Sequence, residues 1–183
     1  MTKKRFVLLA CLVVALVAVA ACGSTKSKLG KVRVGTEAAY PPFELKDDKG
    51  TITGFDIDLM TAVAKEAGFE VEFVDTPFDG IFVAVQSGQF DAVISATTIT
   101  EERAQIVNFS DPYFDAGLAI VVMKDSPVQK PEDLNGKKIG VQLGTTGDME
   151  ATKRYGEANV SRYDDVLLAF QALLAGDIDA IVN

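Results

Sequence analysis

The stretch PFDGIFVAVQSGQFDAVISATTITEERAQIVNFSDPY, residues 77–113, contains one complete helix-and-strand unit with a polar cluster attached to its end. Phe78-Asp79 opens a helix containing Ala84-Val85-Gln86, Gly88 closes it, and Asp91-Ala92-Val93-Ile94 begins an apolar run of strand length. Thr97, Thr98 and Thr100 follow at the carboxyl end of that strand. In open α/β sheets that end is where ligands bind. Thr100 can cap a helix whose first turn holds Glu101, Glu102 and Arg103, the two acids complementing the positive end of its dipole. Taken alone, Arg103 reads as a solvated side chain or the partner of a nearby glutamate. Beside a hydroxyl-rich strand end it reads instead as a planar, bidentate fork for a carboxylate.

The same alternation continues on both sides. Apolar runs at 32–36, 70–75, 92–96, 118–124, 138–143 and 180–183 are separated by stretches of helical period, the pattern of an α/β fold with a largely parallel sheet. Residues 55–67 place Ile57, Met60, Val63, Ala64 and Ala67 on one face and stop at Gly68. Residues 164–174 do the same with Val166, Leu167, Phe170 and Leu174, ending at Gly176. The opening unit also has an echo. Tyr163-Asp164, Ala169-Phe170-Gln171, Gly176 and Asp179-Ala180-Ile181-Val182 repeat its order with a helix about one turn longer. Two lobes of like architecture are expected: 31–117 as the first, 118–124 as a strand crossing between them, and 125–183 as the second.

The first residues are of another kind. Lys3, Lys4 and Arg5 precede an apolar run that ends at Cys22-Gly23-Ser24. The run is short for a membrane span, which needs about 20 residues, and its flanks are those of a secretory signal over 1–21. Residues 22–30 then form a polar tether. The whole chain carries 18 basic and 26 acidic side chains, net −8, and loss of the leader makes it more acidic. Nucleic acid is therefore excluded as a partner, because phosphate binding needs the opposite sign. Of two cysteines, Cys11 lies in the leader, so an internal disulfide is excluded once the leader is removed. The absence of histidine rules out imidazole catalysis and the common zinc sites. No metal or cofactor is expected.

Two further stretches could meet a ligand. KKIGVQLGTTGDME, residues 137–150, is a strand, a glycine-rich turn and a helix, whose amides and the Thr145 and Thr146 hydroxyls make an anion cradle or simply a tight turn. It lacks the lysine of a P-loop and the spacing of a dinucleotide fingerprint. TEAAYPPFE, residues 36–44, puts Glu37 at a strand end beside Tyr40 and Phe43, with Phe78 elsewhere in the chain. These aromatics suit either a core or a cationic side chain set against a carboxylate.

With TGFDIDLMTAVAKEAG, GLAIVV, LNGKKIGVQLGTTGD and AGDIDAIVN added in order, the chain from about Val32 onward resembles the amino-acid-binding proteins of ABC importers, solute-binding protein family 3. ITEER followed by FSDPY is the most specific part of the likeness. Val19-Ala20-Ala21-Cys22 resembles a lipobox, implying lipidation at Cys22; an ordinary leader with an incidental cysteine is the alternative. The resemblance implies a two-lobed, type II periplasmic-binding-protein-like fold closing on a free amino acid. By matching position, Arg103 holds the α-carboxylate with Thr98, Thr145 and Thr146. The Ala96 carbonyl receives the α-ammonium, Tyr40 and Phe78 sandwich the side chain, and Glu37 reaches its polar end. Many relatives carry glycine or serine where this chain has Ala96.

The implied protein is a monomeric, non-enzymatic, lipid-anchored binding protein in the periplasm or on the outer face of the cytoplasmic membrane. It hands an amino acid to an ABC-transporter permease, with arginine, lysine or histidine favoured and glutamine next. Two alternatives share the fold: a dehydratase of prephenate-like or arogenate-like acids, with Glu37 and Glu101 as its candidate acids, and a ligand-sensing domain. The resemblance further implies a second lobe incomplete at its C-terminus, since relatives place an aspartate one step past Asn183 and then return to the first lobe.

Overall fold

The computed structural model describes residues 30–183. The leader expected over 1–21 and the Cys22 anchor lie outside the described residues, as does the tether except Gly30. From β1 (Lys31–Thr36) the chain enters a small antiparallel sheet of β2 (Ala39–Tyr40), β3 (Glu44–Lys46) and β4 (Ile52–Thr53), then α1 (Phe55–Ala67). It continues through β5 (Glu70–Asp75), a 3-10 turn at Phe78–Gly80, α2 (Ile81–Gln86), β6 (Ala92–Val93) and α3 (Glu101–Ala104). β1 pairs in parallel with β5 on one side and β6 on the other. After β7 (Ile120–Val121) come β8 (Ile139–Gln142), α4 (Thr146–Tyr155), β9 (Val160–Tyr163), α5 (Val166–Ala175) and β10 (Ala180–Val182). Their sheet runs β7-β10-β8-β9, parallel except for β7.

The sequence echo is a structural one. Asp91 accepts from the Arg33 amide at 2.8 Å, and Arg33 returns its carbonyl to the Asp91 amide at 2.8 Å. Asp179 makes the same pair with Lys138, both at 2.8 Å. Each aspartate thus locks the register of a short strand against its neighbour, Ala92 opposite Val34 and Ala180 opposite Ile139.

The second sheet is covered on both faces. Val141, Ala151, Ala180 and Val182 join Leu134 in one core cluster, while Ala169, Leu173, Ile178 and Ile181 form the other. Adjacent β10 residues therefore point into different clusters, as strand alternation requires. α5 is rotated from the expected face. Val166, Ala169 and Leu173 are buried, whereas Leu167 and Leu174 are exposed. The buried set is spaced three and four apart, and Leu167 and Leu174, seven apart, share an outer stripe. In α1, Ile57 and Ala64 are buried and Val63 is exposed.

Two expected strands are shorter. The run over 92–96 is a strand only at Ala92–Val93; Ile94 still donates to Gly35 O at 3.1 Å, and then a left-handed residue, Ala96 at φ 42°, turns the chain out of the sheet. The run over 118–124 is a strand at Ile120–Val121, antiparallel to β10, with Ala119 and Asn183 exchanging backbone hydrogen bonds beyond it. The small sheet of β2, β3 and β4 and the polar strand β9 were not among the expected elements.

One docking explains how the small sheet meets α1. The first two helical amides, of Phe55 and Asp56, donate to Pro42 O and Phe43 O, both at 3.0 Å. That approach requires Gly54, at φ 132°, because a Cβ there would stand 2.2 Å from Phe43 O. The residue after Phe43 is Glu44, which is thereby carried against Asp56.

Candidate functional site

A cavity of about 490 Å³ lies between the two sheet units. All eight expected residues line it: Glu37, Tyr40, Phe78, Ala96, Thr98 and Arg103 from the first unit, Thr145 and Thr146 from the second. They converge because β1 and β6 end there on one side and the turn between β8 and α4 on the other.

Arg103 is the centre of this geometry. Thr100 caps α3 by accepting from the Arg103 amide at 3.1 Å, which aims the side chain back along the strand end. The guanidinium is buried, at 4% exposure. Its Nη1 donates to Thr98 O at 2.8 Å, and its Nη2 donates across the cavity to Gly144 O at 3.0 Å. The rings of Phe78 and Phe82 lie 5.4 and 5.0 Å from its central carbon. Among the described residues no carboxylate forms an ion pair with it. Burial pushes its pKa down, only partly opposed by Glu102. A charge so placed gains from an anion that enters the cavity.

Opposite Arg103 stands the N-terminus of α4. The Thr145 hydroxyl donates to Gln142 O at 2.8 Å and accepts from the Asp148 amide at 3.2 Å. It serves the helix as its cap. The amides of Thr146 and Gly147, in the first turn, are the groups that remain to face an anion. Gly147 is required by close approach, since a Cβ would lie 2.5 Å from Val182 O.

Glu37 occupies the far side. It is buried, and its carboxylate accepts from the Phe78 amide at 3.3 Å and from Gln142 Nε2 at 2.5 Å. Burial raises its pKa, while the bonds from Gln142 and Phe78 oppose that rise. Tyr40 OH accepts from Asn183 Nδ2 at 3.1 Å, and its ring stacks on Phe43 with centroids 5.9 Å apart. Gln142 and Asn183 are lining residues that sequence reasoning missed. A polar residue inside the otherwise apolar strand IGVQL was the available signal for Gln142. Asn183 had none.

Below the Ala96 turn lies a second layer, also unforeseen. Asp56 Oδ2 accepts from the Ala96 amide at 2.7 Å and from Tyr113 OH at 2.8 Å. Ser95 Oγ donates to Glu44 Oε1 at 3.2 Å and accepts from the Glu37 amide at 3.0 Å.

Residues 32–175 match the family described as bacterial extracellular solute-binding proteins, family 3. The probable histidine-binding protein of Neisseria gonorrhoeae is 38% identical over 194 residues, covering 100% of this chain and 72% of that protein. The arginine-binding extracellular protein ArtP of Bacillus subtilis is 44% identical over 163 residues, covering 84% of this chain and 62% of its own length. An ancestral arginine-binding protein, solved with arginine and with glutamine, is 51% identical with TM-scores of 0.80 and 0.81; each match covers 84% of this chain, and 70% and 69% of the two solved chains. The described chain therefore has the fold of two-lobed amino-acid-binding proteins.

Proposed function

The chain belongs to family 3 of the bacterial extracellular solute-binding proteins, and we propose that it captures an amino acid outside the cytoplasm and presents it to an ABC-transporter permease. The observation that carries this is Arg103: a buried guanidinium without a carboxylate partner among the described residues, facing a cavity and the first turn of α4. Its fork fits an α-carboxylate, with the Thr146 and Gly147 amides completing the anion site. The Ala96 carbonyl, set outward by a left-handed turn, serves the α-ammonium. Glu37, with the Tyr40 and Phe78 rings, suits a cationic side chain, so arginine is the first choice, lysine and histidine follow, and glutamine is next.

The names of similar proteins, given for binding histidine or arginine, support a ligand of this class. The dehydratase alternative is not favoured: those proteins are named for binding, and Glu101 does not line the cavity. Lipid attachment at Cys22, on the lipobox-like Val19-Ala20-Ala21-Cys22, belongs to the same proposal, as does a monomeric state.

Calorimetric titration of the purified protein with each of the twenty amino acids tests the reading. Arginine binds most tightly, and Arg103→Ala lowers its affinity by about 2–5 kcal/mol, the cost of leaving a buried charge without its partner. Failure of all twenty to bind, or an Arg103→Ala protein within a few-fold of the parent, overturns it.

A further inference from the structure

Glu44 and Asp56 are the most deeply buried acids of the described chain, at 1% and 0% exposure. They belong to different elements, brought together by the docking of α1 on Pro42 and Phe43. Each has one oxygen in use and one without a hydrogen-bond partner. Glu44 Oε1 accepts from Ser95, Asp56 Oδ2 accepts twice, and Glu44 Oε2 and Asp56 Oδ1 are left. Both of these oxygens are buried with no donor to meet them, and the charge of Asp56 bears directly on Glu44. No lysine or arginine forms an ion pair with either among the described residues. Two carboxylates cannot face one another there unprotonated, so the contact needs one proton between them.

The donors decide where that proton resides. Asp56 receives an amide and a phenol, the stronger set for holding negative charge, whereas Glu44 receives only a serine hydroxyl. Glu44 is therefore the neutral acid and donates to Asp56. Burial, then the charge of Asp56 and its hydrogen bond, push Glu44 up to about 9, with a smaller push from Glu37. Tyr113 is held in its neutral, donating form by burial and by Asp56. The other groups facing the pair are thus Glu37 after β1, Ser95 and Ala96 after β6, and Tyr113 and Tyr40 at the cavity wall.

We propose that Glu44 and Asp56 act as a proton-sharing pair of positioning residues, which holds the Ala96 turn and Tyr113 in place to form the ammonium-binding wall of the cavity. The inference rests on the functional reading above. Asp56 fixes the Ala96 amide inward, which forces the left-handed turn and presents the Ala96 carbonyl to the ligand. Through Ser95, Glu44 also steadies the backbone at Glu37, so one acid pair supports both ends of the ligand. Loss of the shared proton sets two carboxylates against each other and loosens the wall.

Two measurements test this. In the first, melting temperature is followed from pH 5 to 10 without ligand for the parent and Glu44→Gln. An acid whose folded pKa is raised is most stabilising below its unfolded value, near 4.5, and loses that contribution as pH climbs through the folded value. The parent therefore falls relative to Glu44→Gln from about pH 5 to about 9 and runs parallel beyond it. Curves parallel throughout overturn the shared proton.

In the second, arginine affinity is measured over the same range. The ratio of parent to Glu44→Gln removes the titration of the ligand's own amine. It stays level between pH 6 and 8 and falls at least fivefold by pH 10. At pH 7 Asp56→Ala weakens arginine at least thirtyfold, and Asp56→Asn, which still accepts from Ala96 and donates to Glu44, recovers most of that loss. A flat ratio, or Asp56→Ala within threefold of the parent, overturns the positioning role. A parent that binds no amino acid overturns the functional reading and with it the positioning role, and the melting curves then decide the proton pair alone.

Discussion

Ala96 is the one non-glycine residue with positive φ among the described residues, at 42°. A side chain in that region costs about 1–2 kcal/mol, partly offset here by the bond from its amide to Asp56. Glycine at the same position has no such penalty but loses more chain entropy on folding. Ala96→Gly is thus expected to stabilise the protein by about 0.5–1 kcal/mol in chemical denaturation, with the carbonyl still available to a ligand. At this scale the legible residues were those whose neighbours advertised them. Arg103 stood out because Thr100, Glu101 and Glu102 make a helix start around it at a strand end. Gln142 and the Glu44–Asp56 pair did not, because their partners lie 105 and 12 residues away in the chain and only tertiary packing joins them.

Among elements, long periodic segments were readable and short polar ones were not. The bounds of α1 and β5 match expectation residue for residue, since a terminating Gly68 in left-handed conformation and an alternating run define them locally. β2, β3 and β4 have two or three residues each, too few to show a period, and β9 reads VSRY with two exposed positions. The face of α5 was misread because VLLAFQALLA is apolar at every position but Gln171, so a single polar residue is all that marks the outer stripe it shares with Leu167 and Leu174. A pair of truncations checks the corrected face. Leu173→Ala, in a packed cluster, should cost about 2–5 kcal/mol, whereas Leu174→Ala, at 73% exposure, should stay within about 0.5 kcal/mol in the same urea titration.

For the whole molecule, the alternation of runs and the repeated Gly-x-x-Asp-Ala unit made the two-part architecture legible, and the structure gives the repeat a reason in the matched Asp91 and Asp179 locks. Because the cavity draws on both parts, a bound amino acid should stabilise them jointly. At one hundred times its dissociation constant, arginine adds about 2.7 kcal/mol, visible in scanning calorimetry as a single transition moved upward. Two separated transitions, only one of them shifted, would mean that the ligand is held by one part alone.

Among the described residues three hydrogen bonds cross the cavity, and each engages a side chain that the ligand is proposed to use: Arg103 to Gly144 O, Gln142 to Glu37, and Asn183 to Tyr40. Binding at such a site is an exchange more than an addition. A ligand that turns Arg103 away from Gly144 must return at least as much as it takes, and so must its far end when it draws Glu37 from Gln142. An aliphatic amino acid can repay the first exchange and has nothing to offer in the second. The protein's own cross-links thus act as a standing rival, which only a ligand matched at both ends displaces at a net gain.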